Sequence, residues 1–278
     1  MGDLPYRYLL GDSRREAARL RAQAVLWDPV SHALFDRVGV RPGWRVLEIG
    51  PGQGSLHREL RRRVNGPVDF VDQSPVFAAA LTKACLRDGL GPGEMWNTKL
   101  LDAPLPRDTY DFIFARWVFM YLPDPDAHVR KLARALKPGG VLAIQDYHRE
   151  TFAMAPKPPE WNRLMAADMA FFASQGGDAS VGGRLPQLYR RAGLSVTDIE
   201  ITIKTGAPGS PTWSWLTAYF LGVLDRYATF PPFTRRDAAA IRRHWLAAGR
   251  QKTSKLIGPA LVDVVGRRTT KEKGKGKR

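Results

Sequence analysis

The order of apolar segments predicts an α/β protein built on a mostly parallel sheet with helices on both faces. Three observations predict it. Short apolar runs alternate with helical periodicity from residue 44 to 147. The strand-like runs are apolar throughout, which suits strands covered on both sides. The connections between them are short and carry Gly, Pro, Asn and Asp, the residues that tight turns need.

Each element has its own signal. Residues 12–37 read as helix, since Leu20, Ala24 and Trp27 recur on one face and Asp12 or Ser13 can cap the start. Pro42-Gly43 turns the chain into WRVLEIG (44–50), a buried strand, and a glycine loop leads into the helical SLHRELRRRV (55–64). VDFVD (68–72) is a second strand, and SPVFAAALTKACLRDG (74–89) is a helix opened by Ser74-Pro75 and closed by Gly89. EMWNTKLLD (94–102) and YDFIFARW (110–117) are the third and fourth strands. DPDAHVRKLARAL (124–136) is a helix stopped by Lys137-Pro138-Gly139-Gly140, and VLAIQDY (141–147) is the fifth strand.

The second half changes character. A Pro-rich link leads to a helix over 160–175, with another over 185–193 and an alternating strand over 195–204. Residues 212–250 hold two aromatic-rich helices, and LVDVVGRR (261–268) is a last strand that pairs antiparallel with 195–204. The resulting organisation is an N-terminal helical cap (1–40), a ligand-binding core (41–147), and the remaining strands with a helical lid (148–268). Residues 269–278 are a basic tail with nothing apolar to bury, predicted to be disordered.

Composition bounds the function. The chain has 278 residues with 44% hydrophobic and 25% charged, which excludes wholly disordered, collagen-like and coiled-coil classes. A single cysteine, Cys85, excludes an internal disulfide and a cysteine-built metal site, so no metal is expected. No signal-peptide core opens the sequence, and the longest apolar run, Phe112 to Leu122, is interrupted by Arg116. The expectation is a cytoplasmic protein with no membrane partner. Formal net charge is +16, which raises a nucleic-acid partner. The final twelve residues supply +6 of it, and much of the rest sits at helical spacing on outward faces, as in RELRRRV. Nucleic acid therefore stays open as a partner without being favoured.

The glycine loop carries the chemistry. Glu48-Ile49-Gly50-Pro51-Gly52-Gln53-Gly54 lies directly after a strand and before a helix, where open α/β sheets bind ligands. The dinucleotide pattern GxGxxG would need glycine at Ser55, and no GxxxxGK[ST] loop is present. Asp72 ends the second strand, where a carboxylate can accept both hydroxyls of a ribose, or merely cap the next helix. Asp102 ends the third strand, facing an adenine amine or forming a turn.

These segments together resemble the class I S-adenosylmethionine-dependent methyltransferases, near the bacterial small-molecule and quinone-biosynthesis branch. VLEIGPGQG (46–54), VDQSP (71–75), LLDAP (100–104), YDFIFARWVFMYLPDP (110–125) and LKPGGVLAIQD (136–146) carry the resemblance in order. It implies a Rossmann-like seven-stranded mostly parallel sheet with one antiparallel strand, S-adenosyl-L-methionine as cofactor, and an enzyme moving a methyl group to a small-molecule acceptor at O, N or C. By the same resemblance, Gly50, Gly52 and Gly54 lie under the methionine and ribose, and Glu48 places the amino group. Asp72 takes the ribose hydroxyls, Gln73 lies against the adenosine, and Asp102 and Ala103 meet the adenine. Arg116 faces the methionine carboxylate or pairs at the surface with Asp124 or Asp126, and Tyr8 and Gln23 close the site or simply dock the first helix. His148, just after the fifth strand, is the base candidate, with Asp146 and Tyr147 in reserve, while His57 reads as structural or exposed. Two other readings stay open: a methyltransferase acting on RNA or another macromolecule, and a non-catalytic protein that binds the cofactor.

Overall fold

The computed structural model describes residues 14–89 and 93–270, with side chains from Ala22 onward. Asp12, Ser13, Tyr8, the Leu20 side chain and residues 271–278 of the tail lie outside that range. In chain order the elements of the first half are α1 (Arg14–Val38), β1 (Val46–Ile49), α2 (Ser55–Val64), β2 (Asp69–Val71), α3 (Pro75–Arg87), β3 (Met95–Trp96), β4 (Tyr110–Arg116), α4 (Pro125–Ala135) and β5 (Leu136–His148). The second half adds β6 (Ala153–Ala155), α5 (Trp161–Ser174), α6 (Leu185–Arg191), β7 (Leu194–Thr202), β8 (Thr205–Gly206), α7 (Pro211–Tyr227), α8 (Arg235–Ala248), β9 (Lys255–Ile257) and β10 (Ala260–Arg268).

Seven strands form one sheet in the order β3-β2-β1-β4-β5-β10-β7. All neighbours from β3 to β5 are parallel, and β10 runs antiparallel between β5 and β7. From β1 the chain builds outward to β3, then returns to the other side of β1 with β4. Strand order therefore reverses between β1 and β4, which opens a crevice at their carboxyl ends. The pairing of 195–204 with the last strand is present, separated by α7 and α8 rather than by a tight turn.

The sheet is apolar on both faces, as its uninterrupted runs require. Along β4, Phe112 and Phe114 pack with Leu34 and Phe35 of α1 and Leu56 and Leu60 of α2. Ile113 and Ala115 point the other way, into a larger core that includes Leu132 of α4, Phe172 of α5 and Leu224 of α7. Helix starts follow local chemistry. Ser74 accepts a hydrogen bond from the Phe77 backbone with Pro75 in the first turn, and Thr234 and Asp237 form a reciprocal cap on α8.

Three expectations are corrected. The third strand is Met95–Trp96 only; the chain then bends, with Asp102 N donating to Lys99 O, so Asp102 stands in a turn well past the strand. Pro138-Gly139-Gly140 does not separate α4 from the fifth strand: β5 starts at Leu136 and carries that segment through a register shift opposite Tyr110 and Phe112. A second, three-stranded sheet, β6-β9-β8, lies in the C-terminal half, and its strands are too short for periodicity to mark them.

Helix α1 is fastened to the crevice by Trp27. Its indole is fully buried and meets Trp117, Tyr147 and Trp215 edge-on at centroid distances of 6.0, 6.3 and 5.8 Å. Edge-to-face geometry places ring hydrogens on the neighbouring π cloud and adds to the burial itself. Trp27→Ala is expected to destabilise the fold by roughly 3–5 kcal/mol, read as a lowered urea midpoint with an unchanged slope. A loss below roughly 1 kcal/mol would show that α1 is held elsewhere.

Candidate active site

A cavity of about 1430 Å³ opens at the carboxyl end of the sheet, over the reversal between β1 and β4. One end is polar and built from the strand termini. Glu48, Gly50, Gly52, Asp72, Gln73 and Asp102 line it. The other end is walled by Trp117, Tyr121 and Tyr147 from the sheet side and by Trp215, Tyr219 and Phe220 from α7. Gln23 of α1 also reaches the wall, while Tyr8 lies outside the described residues.

The glycine loop is shaped by close approach. Gly50 has φ +62°, and a Cβ there would stand 2.6 Å from Val118 Cγ2. Gly52 has φ +54° and nothing within 4 Å of an added Cβ, so the backbone itself forms the cavity surface. Gly54 departs from expectation. It is absent from the wall and packs against Leu81, where an added Cβ would meet Cδ1 at 2.3 Å. It permits α2 to begin so close to α3.

Two carboxylates reach the polar end. Asp72 is 8% exposed; its Oδ1 accepts from Ser74 N at 2.8 Å and Oδ2 accepts weakly from Gly52 N at 3.4 Å. Ser74, not Asp72, caps α3 directly. Burial pushes the Asp72 carboxyl up to about 6, against the pull of those two N–H groups. Glu48 is 3% exposed, and its Oε2 meets His57 Nδ1 at 2.9 Å.

His57 is the residue that sequence reasoning left without a role. It sits in the first turn of α2, fully buried, with Phe70 edge-on at 5.4 Å. Burial alone would strip its proton, but the neighbouring Cys85 sulfur and the Glu48 carboxylate more than offset this and hold it up to about 9. Cys85 is buried, and His57 in turn draws its thiol below the usual range against the opposing effect of burial. Glu48 thus enters the cavity as one half of a buried ion pair. A histidine on the inner side of an otherwise amphipathic RELRRRV helix was the available signal.

Arg116 is also corrected. It lines the cavity, but its charge is met by neither Asp124 nor Asp126: Nη2 donates to Asp28 at 2.7 Å and Nη1 to Ser31 Oγ at 2.8 Å, both on α1. Its guanidinium lies 4.5 Å from the centroid of the Trp117 ring. Burial lowers its pKa despite Asp28. Ser31 Oγ in turn donates a hydrogen bond to Gln145 Oε1, and Gln145 Nε2 donates to Asp263, so the clamp on α1 continues through the sheet.

The base candidates fare differently. His148 does not line the cavity. Strand alternation turns it away from Tyr147 and Arg149, which do, and packs it on Gly183, whose added Cβ would lie 3.0 Å from His148 Nδ1. Asp146 is likewise off the wall and fully buried, accepting from Tyr147 N at 2.8 Å and Met120 N at 3.1 Å. Burial raises it to about 7, and its work is to hold the turn after β4. Ala103 is a core residue, fully buried away from the wall. Among the described residues no cluster of His, Cys, Asp and Glu could hold a metal, and no helix is long and apolar enough to cross a membrane.

Known proteins share this arrangement. Residues 47–144 match the family described as methyltransferase domain. The ubiquinone/menaquinone biosynthesis C-methyltransferase of Vibrio campbellii is 32% identical over 41% of this chain and 46% of its own length. The match thus spans about half of that enzyme. The sterol 24-C-methyltransferase of Aspergillus fumigatus is 24% identical over 85% of this chain and 69% of that protein. A structure assigned as a sarcosine dimethylglycine methyltransferase from Galdieria sulphuraria superposes with a TM-score of 0.60 at 22% identity, covering 91% of this chain and 88% of the other. Phosphoethanolamine N-methyltransferase 2 of Haemonchus contortus, in complex with S-adenosyl-L-methionine, superposes with a TM-score of 0.54 at 16% identity, over 86% and 52%. The family match covers residues 47–144, and over most of the chain the fold is the one these methyltransferase structures share.

The His57–Glu48 pair gives the fold a pH signature. His57 has a folded pKa of about 9 against about 6.5 when unfolded. Its contribution is fully present below the lower value and is lost as pH rises through the higher one. The stability gap between wild type and His57→Gln is therefore expected to be largest near about pH 6 and to close near about pH 10, measured by urea denaturation. A gap independent of pH would show that the imidazole is not charged.

Proposed function

We propose that S-adenosyl-L-methionine lies across the glycine loop and that a small, largely apolar aromatic acceptor enters from the α5–α7 side. The continuity of one cavity from the strand termini to the aromatic wall carries this reading. Small-molecule sites usually hold roughly 300–1,000 Å³, and about 1430 Å³ accommodates two ligands end to end. The polar end fits the cofactor's chemistry: open backbone at Gly52, a carboxylate at Asp72 with accepting capacity to spare, and a second at Glu48.

Asp72 would accept the ribose hydroxyls, Gly50 and Gly52 would underlie the ribose and methionine, and Glu48 would receive the amino group while His57 holds its other oxygen. Gln73 would lie along the adenosine, with Asp102 at the rim towards the adenine amine. When bound, the cofactor supplies an electrophilic methyl group on a sulfonium. The chain's part is to align the acceptor with that carbon and keep water away. Trp117, Trp215 and Phe220 suit both tasks, because rigid aromatic walls position a planar acceptor and leave water few partners. The aromatic-walled concavity favours a small acceptor over a macromolecule. Many basic residues are also spent on internal pairs, such as Arg63 with Glu59 and Asp36 and Arg37 with Asp198 and Asp263. We place the enzyme in the cytoplasm, where its single buried cysteine stays reduced.

Calorimetry tests the assignment. S-adenosylmethionine and its demethylated product are expected to bind, and NAD is not. Asp72→Ala is expected to weaken binding far more than Asp102→Ala, since each hydroxyl bonded to a carboxylate is worth about 1.5–3 kcal/mol. Cofactor affinity should also fall as pH drops through about 6, because protonated Asp72 loses its charge and part of its capacity to accept from the two hydroxyls. Equal losses for both variants in folded protein would overturn the assignment.

A further inference from the structure

We propose that Arg149 selects the acceptor, and that the acceptor is an aromatic carboxylic acid whose carboxylate lies on the open edge of the Arg149 guanidinium. This rests on the small-molecule methyl-transfer reading above. Arg149 directly follows β5, lines the acceptor end of the cavity and is 4% exposed. A charge held so far from water needs partners that satisfy it. Asp168, fully buried in the middle of α5, is one: its carboxylate accepts from Arg149 Nε and Nη2, both at 2.7 Å.

That contact uses one edge of a planar group that has more than one. A guanidinium carries five N–H bonds in a fixed fork. Asp168 takes the side edge, made by Nε and one Nη2 hydrogen. The end edge, made by Nη1 and the second Nη2 hydrogen, meets no acceptor among the described residues. Nη1 is not sealed among side chains either, and the open space that reaches it is the cavity that Arg149 lines. Two parallel N–H bonds of one cation have a specific complement, a planar group with two anionic oxygens.

The surroundings single out Arg149 from the other arginines of the cavity. Its guanidinium lies 5.1–5.9 Å from the ring centroids of Tyr147, Phe172, Tyr219 and Phe220. Those rings displace water, so a charge-assisted bond made there meets little competition from solvent. Three of the four also line the cavity, which puts aromatic faces beside any arene whose carboxylate reaches Arg149. Arg116 has no such edge to offer, since Nη1 and Nη2 already donate to Ser31 and Asp28. Arg58 and Arg87 line the cavity but are exposed, where water weakens a pair.

A second carboxylate on Arg149 does not leave Asp168 stranded. Asp168 also accepts from the Tyr227 hydroxyl at 2.6 Å, so three N–H and O–H bonds hold its charge. The Arg149–Asp168 pair is neutral by itself. An anionic acceptor then gives this end of the cavity one negative charge, opposite in sign to the sulfonium of the cofactor. Neutral and cationic acceptors fit less well. A carboxamide turns its own N–H group towards one of the two donors, and an ammonium meets a cation with nothing to accept from it.

The test is calorimetry on the full chain loaded with S-adenosylhomocysteine, comparing 2-naphthoate with 2-naphthamide, its neutral isostere. 2-Naphthoate is expected to bind about tenfold more tightly or better. Arg149→Met should erase that preference while the affinity for 2-naphthamide stays near the wild-type value. Because this variant leaves Asp168 buried without its cation, the double variant Arg149→Met/Asp168→Asn is measured beside it, with the same loss of preference expected. An arginine that only braced the fold would lower both affinities together. Affinity for S-adenosylhomocysteine should be unchanged in both variants. Failure of the wild type to bind S-adenosylhomocysteine would bring down the cofactor reading and this proposal with it. With that ligand bound, the proposal alone would be overturned by any of four results. They are equal affinity for the two naphthyl compounds, no binding of 2-naphthoate, a preference that survives removal of Arg149, and a parallel loss of S-adenosylhomocysteine affinity, which would make the carboxylate the cofactor's own.

Discussion

The carboxyl end of β5 buries five polar residues in succession, and most of the site depends on how each is matched. Gln145, Asp146, Tyr147 and Arg149 are all at most 5% exposed, and His148 is half-buried. An unmatched buried charge or amide is strongly destabilising, and Gln145, Asp146 and Arg149 each find a partner. Each partner belongs to a different element. Gln145 joins Ser31 of α1 to Asp263 of β10; Asp146 receives the backbone of the turn after β4; Arg149 takes Asp168 of α5. Tyr147 stacks on Trp117 at 5.4 Å. Satisfying this run of side chains therefore fixes α1, α5 and the turn after β4 relative to the sheet.

The same alternation explains which residues reach the cavity. Tyr147 and Arg149 share a side and line it, while Asp146 and His148 lie off it. A base chosen by proximity in sequence falls on the wrong side by one residue, because a strand turns successive side chains to opposite faces. The phase of that alternation was fixed by the packing of β5 between β4 and β10, which VLAIQDY alone does not reveal.

Much of the fold was legible because the central strands are short, wholly apolar and separated by strong turn residues. VLEIGPGQG gave the position of the crevice, since a glycine run after a buried strand has few other uses. What escaped was long-range or small. The three strands of the second sheet have two or three residues each and no period to detect. Gly54 was grouped with Gly50 and Gly52 by spacing, but its neighbour is Leu81, contributed by α3. Asp168 was detectable in principle: an acid at the centre of WNRLMAADMAFFAS on a buried helix demands a partner. Which cation would answer it, Arg149 nineteen residues earlier, was not readable from spacing.

Two of the arginines that line the cavity, Arg116 and Arg149, show how charge is managed in its wall. Arg116 and Arg149 each approach the reaction space with an acid from a helix outside the sheet, Asp28 of α1 and Asp168 of α5. Glu48 is matched in the same way by His57. Each of these three charges is therefore compensated within hydrogen-bond distance. Aromatic faces remain the dominant surface at the acceptor end, and their π clouds attract a cation without demanding that it stay localised. Helices α1 and α5 thus act on the cavity from outside the sheet: by bringing acids to Arg116 and Arg149 they let cationic side chains line its wall.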